Sequence, residues 1–206
     1  MTLIPPVLTK GKFLPQLILL LTTLLIFSGC ATSPEDTRYF KDDKVELELL
    51  QKVAVLPFVN HTQTKLVENR FSNIVTTEIL SRELFEVATP GDVLAFLKEE
   101  VRGDPTAVDA QVARKMGRAL KVDAYLTGAV EIYDMERNGT YNYPVIAVTM
   151  QLIDIKSGRI IWQAAGGDTG YDSWSRVFGL ASDDFNRVSF RLARELLDTM
   201  QSQTNE

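Results

Sequence analysis

Residues able to act as nucleophiles or metal ligands are few in this sequence. It contains one cysteine, Cys30, and one histidine, His61, among 206 residues. A Ser-His-Asp triad would have to use His61, which lies in a polar stretch without a nucleophile motif. Zinc sites need several His or Cys ligands, and the sequence has no Asp-rich calcium loop or phosphate-binding glycine loop. The sequence therefore predicts no catalytic residue, no metal and no cofactor.

Carboxylates, in contrast, are abundant, with 27 Asp and Glu residues in the chain. A glycoside hydrolase uses two carboxylates that converge on a cleft at a fixed separation. Sequence alone does not show such a separation. A carbohydrate-acting envelope enzyme therefore stays open as an alternative to a non-enzymatic protein.

The single cysteine follows an apolar segment at the N-terminus. Lys10 and Lys12 precede the run Phe13–Phe27, which ends in Phe-Ser-Gly-Cys at Cys30. A spanning helix needs about 20 apolar residues, so this shorter run favours a secretory signal. Its ending resembles a bacterial lipobox, where a signal peptidase cuts before a cysteine that carries a diacylglycerol thioether and an N-acyl chain. A simple signal peptide with an incidental cysteine is the alternative. We expect removal of residues 1–29 and lipidation of Cys30.

The lipid predicts where the protein works. Two or more acyl chains anchor a protein stably in a membrane. Ala31, and not Asp, follows Cys30, and by the sorting rule of Gram-negative lipoproteins this predicts the periplasmic face of the outer membrane. Residues 30–44 are polar and charged, which predicts a short tether of about 20 Å as a coil and about 50 Å when stretched. We therefore expect the domain to stay near the membrane.

The charge of the remaining chain argues against nucleic acid as a partner. Residues 1–29 carry two of the 22 cations and none of the 27 anions, so the chain that remains has a net charge of −7. Cations and anions are mixed along it, without a basic block. Residues 45–206 have the length of one ordinary domain, and no cysteine is left to stabilise it by a disulfide. We predict a single periplasmic domain over 45–206.

Hydrophobic periodicity predicts the elements of this domain. Apolar, β-branched runs indicate strands at 52–60, 84–88, 122–133, 145–155 and 159–164. Apolar residues three and four apart indicate four helices. The first spans 65–82, the second begins at an N-cap that is Thr89 or Asp92, the third spans 108–120, and the fourth runs from about 182 to 200. Val45–Gln51 fits either a strand or a helix start. The order predicts an α/β single-domain sandwich with helices packed on a mixed sheet of about five strands.

Turn signals refine this arrangement. Asn138-Gly139 is typical of a tight hairpin, so the last three strands should form an antiparallel meander. Pro57 lacks a backbone N–H and should weaken strand pairing near the end of the first run. Gly166–Gly170 contains three glycines, and we expect it to loosen the chain after the last strand.

Aromatic residues are concentrated in the C-terminal part of the sequence. They are Tyr133, Tyr141, Tyr143, Trp162, Tyr171, Trp174 and Phe178. Aromatic side chains with a polar tip anchor partners when they lie in loops or at strand ends, although packing against the last helix is the alternative. The predicted partner-binding residues are Asn60, Tyr141, Tyr143 and Trp174.

Three segments together carry a resemblance to a known group. They are Val53–Asn60, Met116-Gly117 followed by Val122–Gly128, and Leu152–Trp162. In this order behind a lipobox they resemble the envelope-lipoprotein superfamily of the curli-secretion lipoprotein CsgG, the penicillin-binding-protein activator LpoB and the flagellar lipoprotein FlgO. The likeness covers about Lys52 to Met200. It implies a TolB-N-terminal-like α/β domain that binds another envelope protein.

The departures from these relatives separate the alternatives. A curli-type channel subunit inserts two hairpins whose membrane strands need about 9–11 residues each. The matching segments, 134–142 and 166–175, are too short and polar for this. An LpoB-type activator is expected to reach its partner through a long tether. The tether predicted here is short, so a partner of this chain would itself have to extend to the outer membrane. We predict a non-enzymatic assembly module, with a channel subunit or a carbohydrate-acting enzyme as alternatives. Assembly into a homo-oligomer is a further option.

Overall fold

Seven strands and four helices make up the part of the chain that the computed structural model describes, namely residues 37–101, 103, 106–171 and 181–201. The strands are β1 Arg38–Lys41, β2 Lys52–Val55, β3 Val59–Asn60, β4 Glu86–Val87, β5 Ala124–Asn138, β6 Tyr141–Asp154 and β7 Ile160–Thr169. The helices are α1 Val67–Ser81, α2 Pro90–Glu100, α3 Ala110–Leu120 and α4 Phe185–Gln201. The predicted signal peptide, Cys30 and Trp174 lie outside the described residues.

The strands form one mixed sheet in the order β1-β7-β6-β5-β2-β4, and β3 also pairs with β5. The pairs β5–β6, β6–β7 and β7–β1 are antiparallel. The pairs β2–β5, β3–β5 and β2–β4 are parallel. This confirms the α/β class, the single domain and the C-terminal meander. The sheet has seven strands where the sequence predicts about five.

One additional strand arises because Pro57 divides the first predicted strand. Leu56 still donates its N–H to the carbonyl oxygen of Leu126 at 2.9 Å. Pro57 has no N–H to donate, and β3 resumes pairing with β5 at Val59 opposite Ala129. The predicted weakening of the pairing therefore appears as a break between two strands.

The other additional strand, β1, falls in the predicted tether. Arg38–Lys41 pair with β7, from Arg38 opposite Ala165 to Lys41 opposite Trp162. The buried carboxylate of Asp42 fixes the end of β1, since it accepts hydrogen bonds from Arg159 Nη2 at 2.6 Å and from the N–H of Lys44 at 3.1 Å. The domain therefore begins earlier than residue 45, because an edge strand can be polar and still pair through its backbone.

Helices α1 and α4 cover one face of the sheet. The sheet residues in this core include Val53, Val55, Leu126, Val130, Ile146, Val148 and Met150. Trp162 joins β7 to α4 by donating its indole N–H to Thr199 Oγ1 at 2.9 Å. Buried Glu78 of α1 accepts from Arg194 of α4 at 3.2 Å, and this raises the pKa of Arg194. Both packing and charge therefore connect the two helices.

Helices α2 and α3 cover only one end of the opposite face. Their core residues pack with Ala54, Leu56, Tyr125 and Ile155, and this burial raises the pKa of the Tyr125 hydroxyl. Thr89 caps α2, since its Oγ1 accepts the N–H of Asp92 at 3.3 Å. This confirms one of the two predicted caps.

Three shorter segments complete the comparison with the sequence. Leu47–Leu49 form a single 3-10 turn that buries Leu47. Gly139 turns the β5–β6 hairpin with a φ of +68°, so 134–142 consists of strand and turn. The expected loosening at 166–170 is wrong, because β7 continues to Thr169. A Cβ on Gly166 would lie 2.9 Å from Thr37 Oγ1 and 3.2 Å from Leu196, so the glycine admits close packing under α4.

Candidate interaction surface

Strand β6 separates the two faces of the sheet by simple alternation. Ile146, Val148 and Met150 are buried under α1 and α4. Their neighbours are half-buried on the opposite face. We call this surface the open face, and it comprises Tyr141, Tyr143, Val145, Ala147, Thr149, Ala165, Gly167, Thr169 and Tyr171. Within the described residues, α2 and α3 pack at the other end of this side, around Leu56 and Tyr125.

Small side chains make the centre of the open face flat. Thr149 lies opposite Ala165, and Ala147 lies opposite Gly167. A shallow depression of about 280 Å³ lies here between Glu131 of β5 and Arg38 of β1. A partner can therefore approach the backbone of β6 and β7 closely.

Three tyrosines form an aromatic cluster at one end of the open face. Tyr171 meets Tyr141 and Tyr143 edge-on, with ring centroids 5.9 and 5.2 Å apart. Tyr141 and Tyr143 are 6.2 Å apart. The Tyr143 hydroxyl also donates to Glu136 Oε2 at 3.2 Å. Edge-to-face packing is a favoured aromatic geometry, and rigid tyrosines are effective anchors for a protein partner.

The close approach of Gly170 to β6 positions Tyr171. Gly170 donates its N–H to the carbonyl oxygen of Pro144 at 2.8 Å. A Cβ at this position would lie 2.5 Å from Pro144 Cδ and 2.8 Å from the carbonyl oxygen of Asp183. Only glycine allows this approach, so the backbone carries the chain directly to the tyrosine cluster.

Arg191 of α4 fixes the same region from the helix side. It donates to Asp168 Oδ2 at 2.6 Å, to Asp183 Oδ2 at 2.7 Å and to the carbonyl oxygen of Thr169 at 2.9 Å. The hydrogen bond to Asp168 is the main reason that the pKa of Arg191 is raised. This clamp holds the end of β7 against α4 immediately before Tyr171.

Asn60 lies apart from the tyrosine cluster and organises its own loop. Its Nδ2 donates to the Thr64 carbonyl oxygen at 2.8 Å and to Glu68 Oε2 at 3.0 Å, and its Oδ1 accepts from the N–H of Thr62 at 2.9 Å. Asn60 pairs with Val130, whereas Tyr141 pairs with Asn138. Eight residues of β5 separate the two positions, about 26 Å. A role for Asn60 in partner binding stays a prediction.

The structure also bears on the sequence's possible catalytic histidine, metal ligands and membrane segment. His61 Nδ1 lies 2.7 Å from Glu131 Oε2, with both side chains largely exposed. No cluster of three or more His, Cys, Asp or Glu suited to a metal occurs in the described ranges. No helix in the part of the chain that is described is long and apolar enough to cross a membrane.

Carboxylates line one groove in a way that bears on the enzyme alternative. Asp92 and Glu99 border a groove of about 440 Å³ beside α2. Seven helical residues separate the two Cα atoms by about 10.5 Å along the axis. Asp92 also accepts a hydrogen bond from Thr89 Oγ1 at 2.6 Å. The Asp92 carboxylate therefore contacts the cap of α2, and the enzyme alternative stays a prediction.

The fold places the chain in a class of α/β domains whose solved members include a lipoprotein. It is similar to the PelC dodecamer structure from Paraburkholderia phytofirmans, with 21% identity, a TM-score of 0.57 and coverage of 82% of this chain and 99% of that one. Lipoprotein GNA1162 from Neisseria meningitidis has 15% identity, a TM-score of 0.54 and coverage of 74% and 99%. The LpoB C-terminal domain from Salmonella enterica has 19% identity, a TM-score of 0.44 and coverage of 61% and 86%.

The amino-acid sequence identifies the family within this fold class. Residues 25–166 match the family described as peptidoglycan-synthase activator LpoB, and the chain belongs to this family. A comparison with curated proteins finds no match. The predicted resemblance is therefore confirmed for LpoB, whereas the relation to CsgG and FlgO stays a prediction.

The sequence predicts part of the open face. Tyr141 and Tyr143 are predicted contact residues and lie together, whereas Trp174 falls outside the described residues. Tyr171 belongs to the dense aromatic stretch but is not among the predicted contacts. Residues 163–169 read Gln-Ala-Ala-Gly-Gly-Asp-Thr, which has no alternation that could have extended β7.

Proposed function

We propose that this chain is a non-enzymatic lipoprotein of the outer membrane that binds a peptidoglycan synthase in the periplasm and activates it. The family match over residues 25–166 carries this proposal. The lipobox-like ending at Cys30 supports the lipid anchor, and Ala31 supports the outer membrane.

The open face is the surface that we assign to the synthase. Interfaces between proteins are enriched in tyrosine at their core, and energetic hot spots are often tyrosines. Tyr141, Tyr143 and Tyr171 supply such anchors, and the small residues beside them admit close contact with a partner. The Gly170 approach and the Arg191 clamp hold these rings in place before a partner binds, which lowers the entropic cost of association.

The length of the tether limits which synthase can bind. Strand β1 begins at Arg38, which leaves seven residues between Cys30 and β1, about 25 Å when fully extended. The partner must therefore reach from the inner membrane or the cell wall to the vicinity of the outer membrane. This requirement follows from the proposed anchor at Cys30.

The test is photo-crosslinking in intact cells, with a photoreactive amino acid at single positions of the full chain. Tyr141 and Thr149 probe the open face, and Gln63 probes the loop organised by Asn60. Leu80, 53% exposed on α1, is the matched control on the covered side. Adducts are identified by mass spectrometry, and synthase activity is measured with the purified full chain.

We expect a synthase adduct from Tyr141 or Thr149 and none from Leu80, together with stimulated glycan polymerisation. Absence of any adduct from the open face, or equal adducts from Leu80, would contradict the assigned surface. Adducts that contain an unrelated envelope protein and no synthase would contradict the proposal that the partner is a peptidoglycan synthase. Light scattering of the same protein tests self-association, which stays a prediction.

A further inference from the structure

A basic groove lies at the end of the sheet opposite the tyrosine cluster. It has a volume of about 740 Å³ and lies between the C-terminal half of α3, the start of β5 and the turn after β6. Its lining residues are Arg114, Gly117, Arg118, Lys121, Val122, Asp123, Ile155 and Lys156. Four cations and one carboxylate therefore face the same space in a chain whose net charge is −5.

The nearby carboxylates are bound to backbone donors. Asp123 Oδ2 accepts from the N–H of Gln51 at 3.0 Å and of Lys52 at 3.2 Å. Asp109 accepts from two N–H groups at the start of α3, which lower its pKa, and the charge of Arg114 adds to this effect. None of the four groove cations has an ion pair within 4 Å among the described residues. Their mutual repulsion is therefore only partly compensated.

Helix stability accounts for only part of this arrangement. Arg118 in the last turn of α3 is favoured by the helix dipole, but Arg114 one turn earlier adds a like charge at i,i+4, which is unfavourable. Lys121 ends the helix with a φ of +55°, a conformation that favours glycine at this position. The dipole therefore favours a cation at this end of α3, whereas the Arg114–Arg118 repulsion and the backbone conformation of Lys121 are unfavourable.

The groove has an apolar floor beneath its charged rim. Val122 and Ile155 are buried, while all four cationic side chains are exposed. A Cβ on Gly117 would lie 2.6 Å from Ile155 Cγ2, so the glycine lets α3 pack directly on Ile155. The backbone N–H of Ile155 donates to the carbonyl oxygen of Asp123 at 3.0 Å. The floor is therefore fixed, and the long side chains above it can adjust to a ligand.

We propose that the basic groove binds a phosphate group, with the arginines as the principal donors. Arginine matches a phosphate geometrically because two parallel N–H groups can donate to two of its oxygens. The volume falls in the range of small-molecule sites. The phosphate can come from a soluble phosphate ester or from a phospholipid headgroup, whose first methylene groups would cover the apolar floor. This proposal goes beyond synthase binding and does not depend on it.

The test follows backbone amide resonances of the full chain, kept soluble in a non-ionic detergent, during titration. The probes are inorganic phosphate, glycerol 1-phosphate and dihexanoylphosphatidylglycerol below its micelle concentration. The variant Arg114→Gln/Arg118→Gln removes two groove charges. The control Lys98→Gln/Arg187→Gln removes two exposed charges from α2 and α4. Variants are compared only when their free spectra retain the wild-type dispersion.

We expect saturable shifts at Gly117, Val122 and Ile155, weakened about tenfold or more in the groove variant and unchanged in the control. Equal affinity for glycerol 1-phosphate and the lipid would support a soluble phosphate, and a markedly tighter lipid would support the headgroup. Absence of saturable shifts would overturn the proposal. Shifts that are the same in the groove variant would also overturn it, because they would report ionic strength alone.

Discussion

Gly128 of β5 has the closest packing of the glycines that the structure describes. A Cβ at this position would lie 2.3 Å from the carbonyl oxygen of Thr149 and 2.9 Å from Cε2 of Phe58. Phe58 in turn packs against Phe71 of α1, with ring centroids 5.6 Å apart. The glycine therefore brings β5, β6 and the aromatic core together at one point, and neither the carbonyl nor the buried ring can move freely.

We expect Gly128→Ala to lower the free energy of unfolding by about 1–3 kcal/mol, because the added methyl group overpacks the core. Gly91→Ala is the matched control, since a Cβ on Gly91 meets nothing within 4 Å. It lies in the first turn of α2, where alanine should stabilise by up to about 1 kcal/mol. Urea denaturation of both variants measures the difference. Equal stability of the two would refute the packing argument.

Individual residues also show where sequence reasoning is reliable. Thr89 is predicted as a cap and serves as one, because capping depends on local hydrogen bonds. Asn60 is predicted as a contact residue, yet its side chain bonds to Thr62, Thr64 and Glu68. Asparagine commonly organises turns through the backbone two residues ahead. The loop therefore uses the side chain's hydrogen-bonding groups internally.

Among the elements, α3 depends most clearly on a charged cap. Asp109 accepts from the N–H groups of Gln111 at 2.7 Å and Val112 at 2.8 Å. These bonds to its charged form lower the pKa of Asp109 below 3.8. A carboxyl whose pKa is lower in the folded state stabilises above its unfolded pKa. That contribution is lost as the pH falls through the folded value.

We expect Asp109→Asn to reduce the loss of stability between about pH 5 and pH 2, because the amide does not titrate. At pH 7 the variant should be slightly less stable, since asparagine caps well but carries no charge for the helix dipole. Urea denaturation at several pH values measures both effects. If the variant lost as much stability as the wild type between about pH 5 and pH 2, other carboxyl groups would cause the acid sensitivity.

The elements that sequence predicts are those with a strong period. Helices α1, α3 and α4 follow from apolar residues three and four apart, and β2 and β6 follow from apolar runs. Strand β1 was missed because Arg38–Lys41 is polar and pairs only through its backbone. The end of β7 was missed because Gly166 and Gly167 suggest a loop, although their small size is what packing under α4 and beside Ala147 requires.

At the scale of the whole molecule, the basic groove and the tyrosine cluster lie far apart. The basic groove borders the pair Ala124–Asp154, where the β5–β6 ladder begins, and the tyrosine cluster borders Asn138–Tyr141 at its other end. Fourteen residues separate these ends along β5, about 45 Å. A phosphate ligand in the groove therefore does not reach the tyrosine cluster. Loss of one surface should leave the other intact.

The proposed lipid anchor would hold these surfaces at a membrane. Cys30 is the only cysteine of the chain, so thiol chemistry reports directly on it. The proposed diacylglycerol thioether would occupy its sulfur, whereas a simple signal peptide would leave a free thiol. Two or more acyl chains give stable membrane attachment.

We expect protein processed in a Gram-negative cell to be unreactive towards maleimide after denaturation and to fractionate with the outer membrane. Mass spectrometry should show a lipid-modified N-terminal peptide that begins at Cys30. Cys30→Ser should abolish the modification and the outer-membrane location, because serine offers no thiol for the thioether. A mature wild-type protein that reacts with maleimide would contradict the anchor. The open face would then have to find its partner by diffusion through the periplasm.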